Sequence, residues 1–462
     1  MDNRQKALNF ANQSRNKFLG ELHEFLRIPS ISTNPENKAD IQRAAEWVFQ
    51  KLTNLGFQNV AIHSTEGHPI VYGEYNQAKK LDAPTVLIYG HYDVQPSDPD
   101  DLWESPPFEP TPRGDHLYAR GASDMKGQIA ACIFAIESIL NGSPLPINVK
   151  FMIEGEEEIG SPNLNRFMET HKELLQCDVA LNPDSGMISA DTPTITYALR
   201  GLAYFEIRVY GPDHDLHSGL FGGIVHNPAQ VLSDLIAGMH DQDGRITLPG
   251  FYDRVRPLTE EERSALRQLP MDEQYYLKQT GVPALHGEKG FSPVEQVGAR
   301  PTLDVNGLYS GFTGVGQKTV IPSWAMAKIS MRLVPDQDPA AVFDQLKQYL
   351  LAHAPKTVRW DLIQMPYGAA SISDINHPAT KAMVKSFESV WNKTPLFKRE
   401  GGSIPVVGNM QRILAVESVL TGFGLADDNI HSPNEKLHLP TWYRGISTLI
   451  HFFYNYSETE LS

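Results

Sequence analysis

Cysteine is almost missing from this sequence: Cys132 and Cys177 are the two present in 462 residues. Two thiols cannot build a disulfide framework or a zinc–thiolate cluster, and they fit a reducing compartment such as the cytoplasm. Cys132 lies in an apolar helical run with Ile129, Ile133 and Ile136, which makes it a small buried hydrophobe. Long apolar runs are missing as well. No stretch approaches the roughly 20 residues that span a bilayer. The first residues, MDNRQKALNFANQSRNKF, hold no apolar core of a signal peptide. Neither a membrane anchor nor a leader is expected. Basic charge is in deficit, with 40 Lys and Arg against 55 Asp and Glu, for a formal net charge of -15. That balance argues against nucleic acid or an anionic membrane as a partner. Two catalytic signatures are also missing. There is no Gly-x-Ser-x-Gly elbow for a serine nucleophile. Gly311 to Thr319 resembles a phosphate loop only faintly, because Lys318 stands one place too late after Gly316 and no strand–helix unit opens there.

What is present is a globular composition, 41% hydrophobic and 21% charged. The length exceeds one ordinary core, so two domains are expected. Thr85 to Tyr89 is a short apolar run between Pro84 and Gly90, as in a buried parallel strand. Met125 to Leu140 reads as a helix, Ile147 to Ile153 as a strand, Leu164 to Leu175 as a helix and Asp178 to Leu181 as a strand. Such alternation predicts an α/β domain with a mostly parallel sheet and helices on both faces. Near Thr194 the pattern changes to paired strands, Thr194 to Leu199 and Ala203 to Tyr210. Helices Pro228 to Met239 and Pro339 to Ala352 follow, with strands Ala327 to Val334 and Val358 to Met365. The α/β style resumes with helices His377 to Asn392 and Thr441 to Tyr454 around a strand at Ser418 to Thr421. The expected division is a discontinuous domain, 1–194 and 371–462, interrupted by a smaller α+β domain over 195–370. Asp241 to Arg300 shows no clear pattern.

Ligand-type residues gather where the strands of the first domain end. His91 and Asp93 follow the run Thr85 to Tyr89, two apart, so they can touch. A carboxylate that accepts one ring N–H leaves the other nitrogen for a metal. Asp124, in Gly121-Ala-Ser-Asp-Met-Lys-Gly127, stands before a helix, where a plain N-cap is the alternative. Glu154-Gly-Glu-Glu-Glu158 crowds four carboxylates after a buried strand, which is costly unless cations compensate. Glu157 and Glu158 are suited to divide the work of base and ligand. Asp184 follows the strand Asp178 to Leu181, where Asp is otherwise a turn residue. His431 lies in the polar loop Asp427 to Lys436. Nitrogen and oxygen donors without sulfur suit zinc, manganese or cobalt. Two such ions can polarise a carbonyl and generate hydroxide from water.

The stretches Gly90–Val94, Tyr118–Gly127, Glu154–Ser161, Asp215–Gly219, Lys318–Pro322, Arg399–Pro405 and Asp427–Glu435 together resemble the M20 metallopeptidase family. Its cytosolic non-specific and carnosinase-type dipeptidases match best, over nearly the whole chain. The resemblance implies two divalent ions bridged by Asp124. His91 and Asp184 would complete one shell, and Glu158 and His431 the other. It implies Glu157 as general base and acid, and Asp93 as the group orienting His91. The inserted domain resembles the family's lid and dimerisation domain. His217 resembles its lid histidine, which reaches a partner subunit's site and stabilises the oxyanion. Arg332 and Ser403, with Gly402 and Thr319 nearby in the matching stretches, resemble groups that hold the substrate's carboxylate. A homodimer that hydrolyses dipeptides or short peptides follows, with deacylation of N-acyl amino acids as the alternative. One departure stands out: Met365 to Ala370 reads Met-Pro-Tyr-Gly-Ala-Ala, where those dipeptidases carry a histidine.

Overall fold

The structure, a computed structural model, describes residues 2–78, 82–402 and 404–459. The chain divides into two compact units, Met1–Tyr197 with Ser373–Phe397 and Asn409–Ser462, and Ala198–Ile372 with Lys398–Gly408.

The first unit is built on a twisted sheet. Its strands run in the order Gln58–His63, Ile70–Tyr75, Asn148–Glu154, Thr85–His91, Val179–Asn182, Ser418–Leu420 and Thr194–Leu199. The four from Asn148–Glu154 to Ser418–Leu420 are mutually parallel, and antiparallel strands flank them. The central strands are buried along nearly their whole length, which explains why they read as short, mostly apolar runs, with Lys150 the exception in Asn148–Glu154. The helix Lys126–Leu140 is buried almost all round and so shows no narrow apolar stripe. It packs with Leu439–Ser457, where Trp442 meets Phe134 edge-on at 6.0 Å and donates its indole N–H to the carbonyl of Gly127 at 2.7 Å. The fold class is thus mixed α/β around a central parallel sheet.

The second unit holds a four-stranded antiparallel sheet, ordered Thr302–Ser310, Trp324–Leu333, Gly201–Tyr210 and Arg359–Gln364. Strict alternation of buried and half-buried residues along Gly201–Tyr210 puts one face on a core. Helices Pro228–Ala237 and Pro339–His353 supply that core with Val231, Leu235, Leu346 and Leu350. Both start with Pro in the first turn after an Asn227 or Asp338 cap. The stretch that shows no pattern in sequence contains three short helices, Glu260–Leu266, Glu273–Thr280 and Pro293–Ala299. The expected helix Leu164 to Leu175 is two, broken at His171.

Candidate metal centre

Three adjacent parallel strands deliver side chains to one edge of the sheet. Thr85–His91 ends on His91, Asn148–Glu154 runs out just before the turn Glu157–Ile159, and Val179–Asn182 stops two residues before Asp184. Ligands bind beyond the carboxyl ends of such strands. Asp124 comes from the loop leading into Lys126–Leu140, and its peptide bond to Met125 is cis. His431 comes from the loop before the strand Lys436–His438.

These segments converge. His91 Nε2 lies 3.2 Å from Asp124 Oδ1, 3.9 Å from Glu157 Oε2 and 4.0 Å from Asp184 Oδ2. His431 Nε2 lies 2.8 Å from Asp124 Oδ2 and 3.2 Å from Glu158 Oε2. Two groups result, His91–Asp124–Asp184 and Asp124–Glu158–His431, each with donor atoms within 4.8 Å of one another, and both use Asp124. The helix cap at this point is Met125 without a side-chain bond, so Asp124 is not spent on capping.

The neighbouring side chains have separate tasks. His91 Nδ1 meets the backbone oxygen of Asp93 at 3.1 Å and its carboxylate at 3.4 Å. The carbonyl only accepts, so Nδ1 carries a proton, and Nε2 is the nitrogen that faces the cluster and would offer its lone pair to a cation. The Asp93 carboxylate also accepts the backbone N–H groups of Glu157 and Glu158 at 3.2 and 3.1 Å. It therefore fixes the histidine and the acidic turn together. Of the four crowded glutamates, two point elsewhere. Glu154 accepts from Tyr89 and Ser161, and Glu156 from Asn163 and the His68 N–H. Gln95 donates to Glu158 at 2.9 Å.

The electrostatics are those of an uncompensated anionic pocket. Burial, and then the Asp124 charge, push Asp184 well above the carboxylate range. Burial lifts Glu157 to about 7 against the pull of His91. Burial would lower His91, but bonds to Asp124 and Asp93 hold it well above its ordinary value. Bonds to Asp124 and Glu158 raise His431 to about 10. Asp124 moves the other way: burial opposes ionisation, yet His431 and His91 hold it well below the usual range. The nitrogen–oxygen donor set fits divalent zinc, manganese or cobalt.

The remaining sequence candidates lie in the second unit. His217 is exposed at the end of Leu216–His217, and its Nδ1 accepts the Gly219 N–H at 2.9 Å. Thr319 is exposed beside Val320–Ile321. Arg332 is half-buried in Trp324–Leu333, and Gly402 is exposed. Ser403 lies outside the described residues. Sequence reasoning missed Arg120 and the role of Glu435. Both are buried, and they bond at 2.7 Å across 315 positions. Their sequence signal is only that Arg120 lies within the Tyr118–Gly127 motif and Glu435 closes the Asp427–Glu435 motif, with nothing to pair them.

The family model described as peptidase family M20/M25/M40 matches residues 87–455. The chain belongs to this family and is a metallopeptidase of the M20 class. It is similar to the Cys-Gly metallodipeptidase DUG1 of Candida albicans, 32% identical over 96% of this chain and 95% of that protein. Among solved structures, it matches the M20 family metallo-carboxypeptidase Sso-CP2 from Sulfolobus solfataricus with a TM-score of 0.84 and 36% identity, covering 95% of this chain and 99% of that one. Human carnosine dipeptidase 1 matches with a TM-score of 0.81 and 30% identity, over 99% and 100%.

Proposed function

We propose that this chain is a dinuclear metal-dependent peptidase that cleaves dipeptides and short peptides at the amide bond beside a free carboxylate. The observation that carries this reading is the sharing of Asp124 between two three-residue groups. His91, Asp124 and Asp184 would hold one divalent cation, and Asp124, Glu158 and His431 the other. Zinc is the first choice, with manganese and cobalt as alternatives. Such cations, when bound, polarise a carbonyl and make water a stronger acid.

The chain's own residues supply the rest. Glu157 takes a proton from the attacking water at its carboxylate. It returns that proton to the amine nitrogen as the C–N bond breaks, leaving an acid and an amine. The burial of Glu157 among the cluster favours proton uptake, which suits a group that must both take and return one. Asp93 holds His91 and the Glu157–Glu158 turn in register. His217 accepts at Nδ1, so its neutral ring carries the proton at Nε2, a donor suited to a developing oxyanion. Arg332, with Thr319, Gly402 and Ser403, would hold the substrate carboxylate, for which a guanidinium has matching geometry.

The segments 1–194 and 371–462 would act as the catalytic domain and 195–370 as a lid through which two copies pair. Pairing is supported by the edge strand Thr302–Ser310 and by exposed Leu220, Ile224, Leu308, Phe312 and Val315 in that unit. No helix among the described residues is long and apolar enough to cross a membrane. Both cysteines are free, which suits the cytoplasm. The relatives' names speak of peptide cleavage, which favours peptides over N-acyl amino acids. With no imidazole in 365–370, substrate preference should differ from that of dipeptidases carrying one. A panel of dipeptides, tripeptides and N-acetyl amino acids tests the reading, with and without a chelator. Metal-dependent dipeptide turnover supports it; turnover of acyl amino acids alone overturns it.

A further inference from the structure

His431 and Asp124 are 307 positions apart, and no local structure sets their distance. Two docking points do. The buried Glu435 carboxylate takes four donors from the segment that carries Asp124. Its Oε2 accepts the Arg120 guanidinium at 2.7 Å and the Gly121 N–H at 2.9 Å, and its Oε1 accepts the Ser123 and Asp124 N–H groups at 3.0 and 3.1 Å. Asp428 accepts the Ser123 hydroxyl at 2.7 Å and the Leu425 N–H at 2.7 Å. The two anchors bracket His431, three residues after one and four before the other. Between them the backbone is strained: Asn429, His431 and Asn434 have φ of 56°, 59° and 60°. Side chains other than glycine rarely adopt this region unless their surroundings impose it. The imidazole itself is half exposed, at 50%, and has little packing to aim it.

We propose that Glu435, assisted by Arg120 and Asp428, is the positioning residue of the Asp124–Glu158–His431 cation site. It clamps the His431 loop onto the backbone of Asp124, so that both ligands ride on one fastened unit. The His91–Asp124–Asp184 group depends on it less, because only Asp124 is shared with this unit, while His91 ends one sheet strand and Asp184 follows another by two residues. The inference rests on the cation reading of the cluster given above.

The test is cobalt(II) titration of chelator-stripped protein, read by calorimetry and by visible absorption. Wild type should take two ions. Glu435→Gln keeps the side chain's shape but loses its charge and presents an amide N–H₂ to donors. Loss of such an outer contact weakens metal binding by about 10–100-fold. The weakening should fall mainly on one ion of the two, with a changed absorption band for that ion, because the other shares only Asp124 with the clamped unit. A purely structural role would lower the melting temperature but leave the second ion's affinity and band as in wild type, and that result overturns the proposal. Ser123→Ala removes only the Asp428 tie and touches no ligand. It should shift the same ion in the same direction by a smaller factor, and it decides the matter if Glu435→Gln does not fold; an unchanged second ion then overturns the proposal. A wild-type protein that takes no second ion instead overturns the underlying dinuclear reading.

Discussion

Loading the metal-free protein with cations should expel protons, and the cluster sets the direction of the effect. Three of the proposed ligand side chains are drawn toward their protonated forms when no cation is present. His91 is kept well above its ordinary value, against burial, by Asp124 and Asp93. His431 sits at about 10 through its bonds to Asp124 and Glu158. Asp184 is raised by burial and by the Asp124 charge. Each must be free of its proton to donate a lone pair, so filling both sites releases protons, His431 foremost among their sources. In every case the proton is bound more tightly without the cation than with it. Binding is therefore weak at low pH and strengthens as pH rises through these values, with log K climbing by roughly one per pH unit for each proton released. Calorimetry in buffers of different ionisation heat measures the number directly as a slope. A clear release of protons agrees with the raised proton affinities of His91, His431 and Asp184. A slope near zero means that the cations displace no proton from these side chains, and the electrostatic account of the cluster fails.

Glu157→Gln should lower kcat by about 10²- to 10⁴-fold, the usual worth of a positioned base, while elemental analysis still finds both ions. The carboxylate contact proposed for Arg332 is charge-assisted and worth about 1.5–3 kcal/mol, so Arg332→Ala should raise KM for a dipeptide by roughly 10- to 100-fold, read from steady-state kinetics. Trp442→Ala deletes a fully buried indole, its edge-on contact with Phe134 and its bond to Gly127, and should cost about 3–5 kcal/mol in urea unfolding of the metal-free protein. A loss under 1 kcal/mol would mean that the packing around Lys126–Leu140 is not what holds this unit.

The parts of the fold that could be read from sequence are those where one force dominates. Thr85–His91 and Val179–Asn182 are buried along nearly their whole length and read as short apolar runs, and Asn148–Glu154 does so apart from Lys150. The polar residues at or just after their ends therefore stand out in the sequence, which is why His91, Glu157, Glu158 and Asp184 were singled out as candidates before their distances were known. Thr302–Ser310 escaped because it is largely exposed and has no alternation to detect. The short helices in 241–300 escaped because their signals are caps rather than stripes: Thr259 accepts from Glu262, Asp272 from Tyr275, and Ser292 with Glu295 forms a capping box. Asp93 was read as a partner of His91, and its second task, gathering the Glu157 and Glu158 N–H groups, depends on a turn that sequence does not specify. Glu435 and Arg120 were illegible for a different reason. A buried ion pair spanning 315 positions leaves no local pattern at either end.

Anomalous diffraction from crystals of the zinc-loaded protein tests the central claim most directly. Two peaks about 3.5–4 Å apart are predicted, both touching Asp124, one beside His91 and Asp184 and the other beside Glu158 and His431. A single peak, or two that do not share Asp124, would contradict it.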